Sequence, residues 1–214
     1  MSESIDLVVL VADGDIEQTI RGLLSRPQDL NINEINFEIY KHPNHDGGCR
    51  TDGHNLLRPF HSKARFALNI FDHDGSGREK SPVTEVEEEA RSLLAKNGWG
   101  VRAETIVIEP EIEQWIWSDS PVVLRIMGWE RLTPTLRQWL TEHGYYSSAE
   151  QTKPQQPKEA FRAALRESNK KPSASLFRQM AERVQFDSCS DRSFNKLKNT
   201  LQNWFSEKSG ATEL

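Results

Sequence analysis

Three groups of acidic residues in this chain sit where a run of apolar residues gives way to a turn. Asp13, Asp15 and Glu17 follow residues 5–12, Asp72 and Asp74 follow residues 64–71, and Glu109, Glu111 and Glu113 follow residues 105–108. Carboxylates gathered at one edge repel one another unless they share protons or cations. Hard oxygen donors suit Mg²⁺ or Mn²⁺, which keep several waters and bind one or two carboxylates together with substrate phosphates. A metal so held activates water and stabilises the oxygen leaving a phosphodiester. Asp-Gly alone is ordinary turn chemistry. Placement of such motifs after separate strands of one sheet is what favours the metal reading.

Parallel strands collect ligands beyond their carboxyl ends, and the sequence supplies the alternation such a sheet needs. Residues 5–12 are almost continuously apolar, as in a strand covered on both faces. Ile16, Thr19, Ile20, Leu23 and Leu24 follow at helical spacing, with Pro27 helping to end the helix. Residues 35–40 alternate apolar and polar, as a half-buried or edge strand does. The polar stretch 41–53, with Gly47-Gly48, reads as loop, with a short helix at 55–62. Residues 64–71 form a third strand, 82–97 a helix stopped by Gly98, and 105–108 a fourth strand. From Pro110 onward only helical segments are readable, at 112–117, 133–143, 158–168, 173–184 and 191–206, with a Ser-, Gln- and Pro-rich linker at 147–156. The expectation is an α/β domain over 1–120, with a mainly parallel four-stranded sheet and flanking helices, followed by an all-helical C-terminal extension over 121–214.

The motifs resemble a known family. Asp13-Gly14-Asp15-Ile16-Glu17 after an apolar strand is similar to the Toprim signature, and Asp72-His73-Asp74-Gly75 to the Asp-x-Asp motif of the same fold. More narrowly, the arrangement resembles the overcoming-lysogenization-defect nucleases and a related small bacterial family. In that small family a segment like Pro110-Glu111-Ile112-Glu113-Gln114-Trp115 follows the fourth strand. The resemblance implies metal-dependent cleavage or rejoining of DNA or RNA, in bacterial anti-phage defence and alongside a partner protein. By position it makes Asp13 a metal ligand or general acid/base and Glu17 a second acidic ligand. Asp72 and Asp74 become the main metal-binding pair, completed by Glu111 or Glu113. The family has Glu where this chain has Asp13, whose arm is shorter by roughly 1.5 Å. That departure implies a weakened or partner-dependent enzyme, or a scaffold that binds a partner without turnover.

Other readings compete. Asp72-His73-Asp74-Gly75-Ser76 is similar to the nucleophile loop of haloacid-dehalogenase-type phosphatases, but follows the third strand and has no Asp-Asp pair downstream. As an EF-hand loop it places Val83 where a bidentate Glu is required. A phospho-receiver needs a Lys after a fifth strand, and none is readable. His42, His45, Cys49 and His54 are zinc-ligand types without a tight spacing; the alternative is that His45 or His54 touches phosphate or assists proton transfer.

Residues 1–120 carry 22 acidic and 12 basic side chains, net -10, and residues 121–214 carry 10 and 15, net +5. In the positive half Lys158, Arg162 and Arg166 recur every four residues and suit phosphate binding. Trp115, Trp117, Trp129 and Trp139 are expected to pack the extension onto the sheet, in preference to stacking on bases. No run approaches the ~20 apolar residues of a membrane span, and the opening residues lack a secretory pattern. Two distant cysteines make no disulfide framework. These features point to a cytoplasmic protein, as monomer or homodimer, using Mg²⁺ or Mn²⁺ on nucleic acid.

Overall fold

The computed structural model describes residues 4–118, 120–185 and 189–206; residues 207–214 of the extension and residues 1–3 lie outside them. Its centre is a four-stranded, all-parallel sheet in the order β2-β1-β3-β4, formed by β1 (Ile5–Val11), β2 (Phe37–Lys41), β3 (Ala64–Asp72) and β4 (Ala103–Ile108). β1 and β3 are central and almost wholly buried, which is why they read as unbroken apolar runs. No helix among the described residues is long and apolar enough to cross a membrane.

Helices cover both faces. α3 (His45–Leu57) and α4 (Val83–Leu94) pack on each other, α3 against β1 and β3 and α4 against β4. α1 (Gly14–Leu24) contacts β1, β2 and the short α2 (Pro27–Leu30). Pro27 opens α2 instead of only ending α1, because a missing N–H costs nothing at the first helical position.

The C-terminal part is helical, as expected: α5 (Glu113–Ile116), α6 (Pro121–Met127), α7 (Leu136–Glu142), α8 (Pro157–Glu167), α9 (Ala174–Ala181) and α10 (Arg192–Phe205). It shares one hydrophobic core with the sheet. α9 lies on α1, where a Cβ at Gly22 would come within 2.7 Å of Ala181 Cβ. The tryptophans do the packing: Trp115 donates to Asp191 and Ser193, Trp117 to the Pro157 carbonyl and Trp129 to the Ala164 carbonyl. Along β4, Glu87 is buried, accepts from the Val107 N–H at 3.0 Å and pairs with Arg192 at 2.7 Å.

Residues 45–57, expected as loop apart from a short helix at 55–62, are instead the helix α3, and Arg58–Phe60 a single 3-10 turn. Glycine lowers helix propensity, so composition argues against α3; packing overrides it. A Cβ at Gly48 would stand 2.2 Å from His42 Nδ1, and one at Gly53 3.1 Å from Asn69 Nδ2. The glycines let the helix lie close on the sheet.

Two neighbouring substitutions separate these effects. Gly47→Ala meets nothing nearer than 3.5 Å and should gain about 0.5 kcal/mol from helix propensity. Gly48→Ala has the same propensity gain but drives its methyl into the His42 ring, and should lose about 1–3 kcal/mol. Urea unfolding midpoints measure both, and equal shifts of the two variants would refute the packing account.

Candidate functional site

The acidic residues that meet beyond the carboxyl edge come from four segments. Asp13 follows β1 and caps α1, its Oδ1 accepting from the N–H groups of Asp15 at 3.0 Å and Ile16 at 2.9 Å. One oxygen is thereby committed to the helix. Asp15, in the first turn of α1, is raised above the usual carboxylate range by burial and then by Asp13.

Asp72 closes β3 with only 4% exposure, and its Oδ1 has no hydrogen-bond partner among the described residues. Its N–H donates to Asp46 Oδ1 at 2.8 Å. Asp46 therefore stands beside Asp72, in the first turn of α3. Gly75, at φ +87°, turns back over it; a Cβ there would lie 3.1 Å from Asp46 Oδ2. Burial lifts Asp72 well above the ordinary range, and the charges of Asp46, Asp13 and Glu113 add to it. Asp46 is raised by burial too, although the Asp72 N–H works against that.

After β4, Glu111 is buried and accepts from the Lys158 N–H at 3.1 Å and from Lys158 Nζ at 2.7 Å. Glu113, 3% exposed, leaves Oε2 without a partner among the described residues. Burial is the main reason its carboxyl is pushed up to about 7, with Lys158 opposing and Glu111 and Asp15 assisting. Lys158 belongs to the first turn of α8. Burial opposes its charge, but the Glu111 hydrogen bond and the charges of Glu113, Glu111 and Asp72 outweigh that and hold the ammonium above its usual range.

Thus the structure brings Asp13, Asp72 and Glu113 together, with Lys158 beside them. Asp46 joins them; it escapes sequence reading because its helix reads as loop. Other expected members lie elsewhere. Glu17 turns to Arg21 at 2.9 Å and Lys41 at 3.4 Å. Asp74 is exposed on the turn after Asp72, its N–H donating to the Pro110 carbonyl at 3.0 Å, and lines a shallow groove with Glu111, Pro157 and Glu159. The expected Asp72–Asp74 pair is therefore split between interior and rim. His45 is an exposed rim residue next to Asp46. His54 lies in the last turn of α3, its carbonyl accepting from Asn97, because the helix carries it back toward the opposite edge of the sheet. Arg162, one turn after Lys158, is exposed and its charge reaches Asp15, whereas Arg166 sits in the last turn of α8. The zinc reading loses its set: His42 is buried with Nδ1 accepting from the Asn44 N–H, and burial pushes the Cys49 thiol up.

Among the described residues no three His, Cys, Asp or Glu side chains form a ready-made coordination cage. The donor chemistry nonetheless fits a hard divalent ion: Asp72 Oδ1 and Glu113 Oε2 are buried acceptors without partners, beside carboxylates that raise one another. Comparison of the chain with family models, curated proteins and solved structures gave no match.

A carboxyl raised by folding binds its proton more tightly in the native chain than in the unfolded one. Between the ordinary value of 4.5 and about 7, folding at Glu113 takes up a proton, so its contribution to stability falls as pH rises through that window. Metal-free protein should lose up to about 3 kcal/mol across it. Glu113→Gln should flatten the profile and be more stable than the parent chain at pH values above the window. Urea unfolding in EDTA on both sides of the window checks this; parallel profiles for the two proteins would exclude it.

Proposed function

We propose that this protein is a Toprim-like, Mg²⁺- or Mn²⁺-dependent hydrolase of phosphodiesters in DNA or RNA. The observation that carries the reading is the buried carboxylate pair with unpartnered oxygens, Asp72 and Glu113, beyond the carboxyl ends of a parallel sheet. Asp72, Asp46 and the uncommitted oxygen of Asp13 would hold the metal. When bound, it supplies charge for a phosphate oxygen and lowers the pKa of water. Glu113, exchanging a proton near neutral pH, suits removal of the proton from the attacking water at Oε2. Lys158 offers a fixed positive charge to the phosphate, and exposed Arg162 extends it toward solvent. The Toprim resemblance adds a place in bacterial defence with a partner protein.

A second reading, a scaffold without turnover, is favoured by one observation. Lys158 already neutralises part of the cluster and is tied by two hydrogen bonds to Glu111. The two readings part in calorimetry and in cleavage. The nuclease should bind Mn²⁺ and nick supercoiled plasmid or cut a single-stranded oligonucleotide. Asp72→Asn should reduce cleavage by about 100-fold or more and weaken the Mn²⁺ heat. Glu17→Gln should stay within about threefold of the parent, since Glu17 faces Arg21 and Lys41. Cleavage that survives Asp72→Asn would place the chemistry elsewhere, and absence of both heat and cleavage would favour the scaffold.

A further inference from the structure

The first turn of α8 meets the segment after β4 through one carboxylate, and the two oxygens of that carboxylate hold different things. Glu111 Oε1 accepts from the Lys158 backbone N–H at 3.1 Å, which ties down the helix. Glu111 Oε2 accepts from Lys158 Nζ at 2.7 Å, which ties down only a side chain. Glu111 is buried, whereas the Lys158 side chain keeps 33% of its surface exposed. Its ammonium is carried on a flexible four-carbon stem. Nζ can therefore leave Oε2 for an anion arriving from solvent while Oε1 still holds α8 in place.

Lys158 also stands among the other acids. Its charge acts on Asp15 from α1, Asp46 from α3, Asp72 from β3 and Glu113 from α5. Two oxygens of this group, Asp72 Oδ1 and Glu113 Oε2, are buried without a hydrogen-bond partner among the described residues. The ammonium is thus a cation already inside the field that a divalent ion would enter. Two cations a few Å apart near a protein surface repel strongly enough to weaken ion binding at least about tenfold.

Resting on the metal-dependent reading above, we propose that Lys158 is a tethered counter-cation that keeps divalent-ion affinity low until a phosphodiester draws its ammonium off Glu111. Three changes then favour the ion together. Nζ pairs with a phosphate oxygen, so its charge is neutralised from outside the cluster. Glu111 Oε2 is released as a further hard donor. The second free oxygen of the diester faces the ion, which takes phosphate oxygens alongside one or two carboxylates. Phosphate and metal therefore bind with positive coupling, and linkage makes the ion raise phosphate affinity by the same factor. In the absence of substrate the chain's own lysine balances the acids; with substrate the metal does.

Calorimetric titration of the full chain with Mn²⁺ tests this. Lys158→Gln keeps a hydrogen-bond donor for Glu111 Oε2 but removes the charge, and should bind Mn²⁺ at least about tenfold more tightly than the parent chain. The probe for coupling is a thymidine dinucleotide whose bridging oxygens are replaced by CH₂, so that it cannot be hydrolysed. At saturation it should tighten Mn²⁺ binding to the parent chain by about fivefold or more, and to Lys158→Gln by less. The measurement on the parent chain needs no substitution, so it stands even where Lys158→Gln fails to fold. Equal Mn²⁺ affinity in the parent and Lys158→Gln would overturn the proposal, as would a parent affinity that the dinucleotide leaves unchanged. Mn²⁺ heat that is undiminished in Asp72→Asn, or missing from every variant, would instead overturn the metal reading beneath it.

Discussion

Carboxylates held close together and out of water set the terms for the rest of this molecule. Each ionised group makes ionisation of the next harder, and burial compounds the effect. At Asp46, Asp72 and Glu113 burial and neighbouring carboxylates raise the carboxyls, and Lys158, which comes from α8, opposes that rise. To bring Nζ there, α8 must dock its first turn against the segment after β4. Glu111 fixes that docking through both the N–H and the ammonium of Lys158, and Trp117 adds a bond to Pro157. The N-terminal end of the helix also carries partial positive charge toward the acidic edge. The helical extension is thus a wall of the site.

Reading by periodicity succeeded where burial is one-sided or complete. β1 and β3 are unbroken apolar runs because both faces are covered, and α4 keeps Val83, Val86, Ala90 and Leu94 on its buried face. It failed at α3, whose glycines serve close approach to His42 and Asn69. That failure concealed Asp46 and left Asp72 and Asp74 as the expected main metal-binding pair. In fact Asp72 ends a strand and is buried, whereas Asp74 lies two residues on, in a turn that has left the sheet. Glu17 pairs with Arg21, four residues later, the spacing that pairs side chains along a helix.

The division of charge along the chain has a structural meaning as well. Many acids of the first half are ordinary surface partners: Glu85 and Glu89 hold Arg78, Glu89 also holds Arg50, and Glu88 holds Arg91. They say nothing about metal. On the other side, Arg192 and Lys196 are engaged with Glu87 and Glu104 along β4, and Lys158 with Glu111. Part of the positive charge of the second half is therefore the counter-charge of the first.

That internal use changes the weight of the electrostatic argument for nucleic acid. Basic residues consumed inside the fold release no counter-ions from a phosphate backbone, so only those left at the surface bear on binding. Arg162, Arg166, Lys170 and Lys171 are exposed, and the charge of Arg162 acts on Asp15 at the acidic edge. The acidic cluster, more than the basic helices, is what the functional reading rests on.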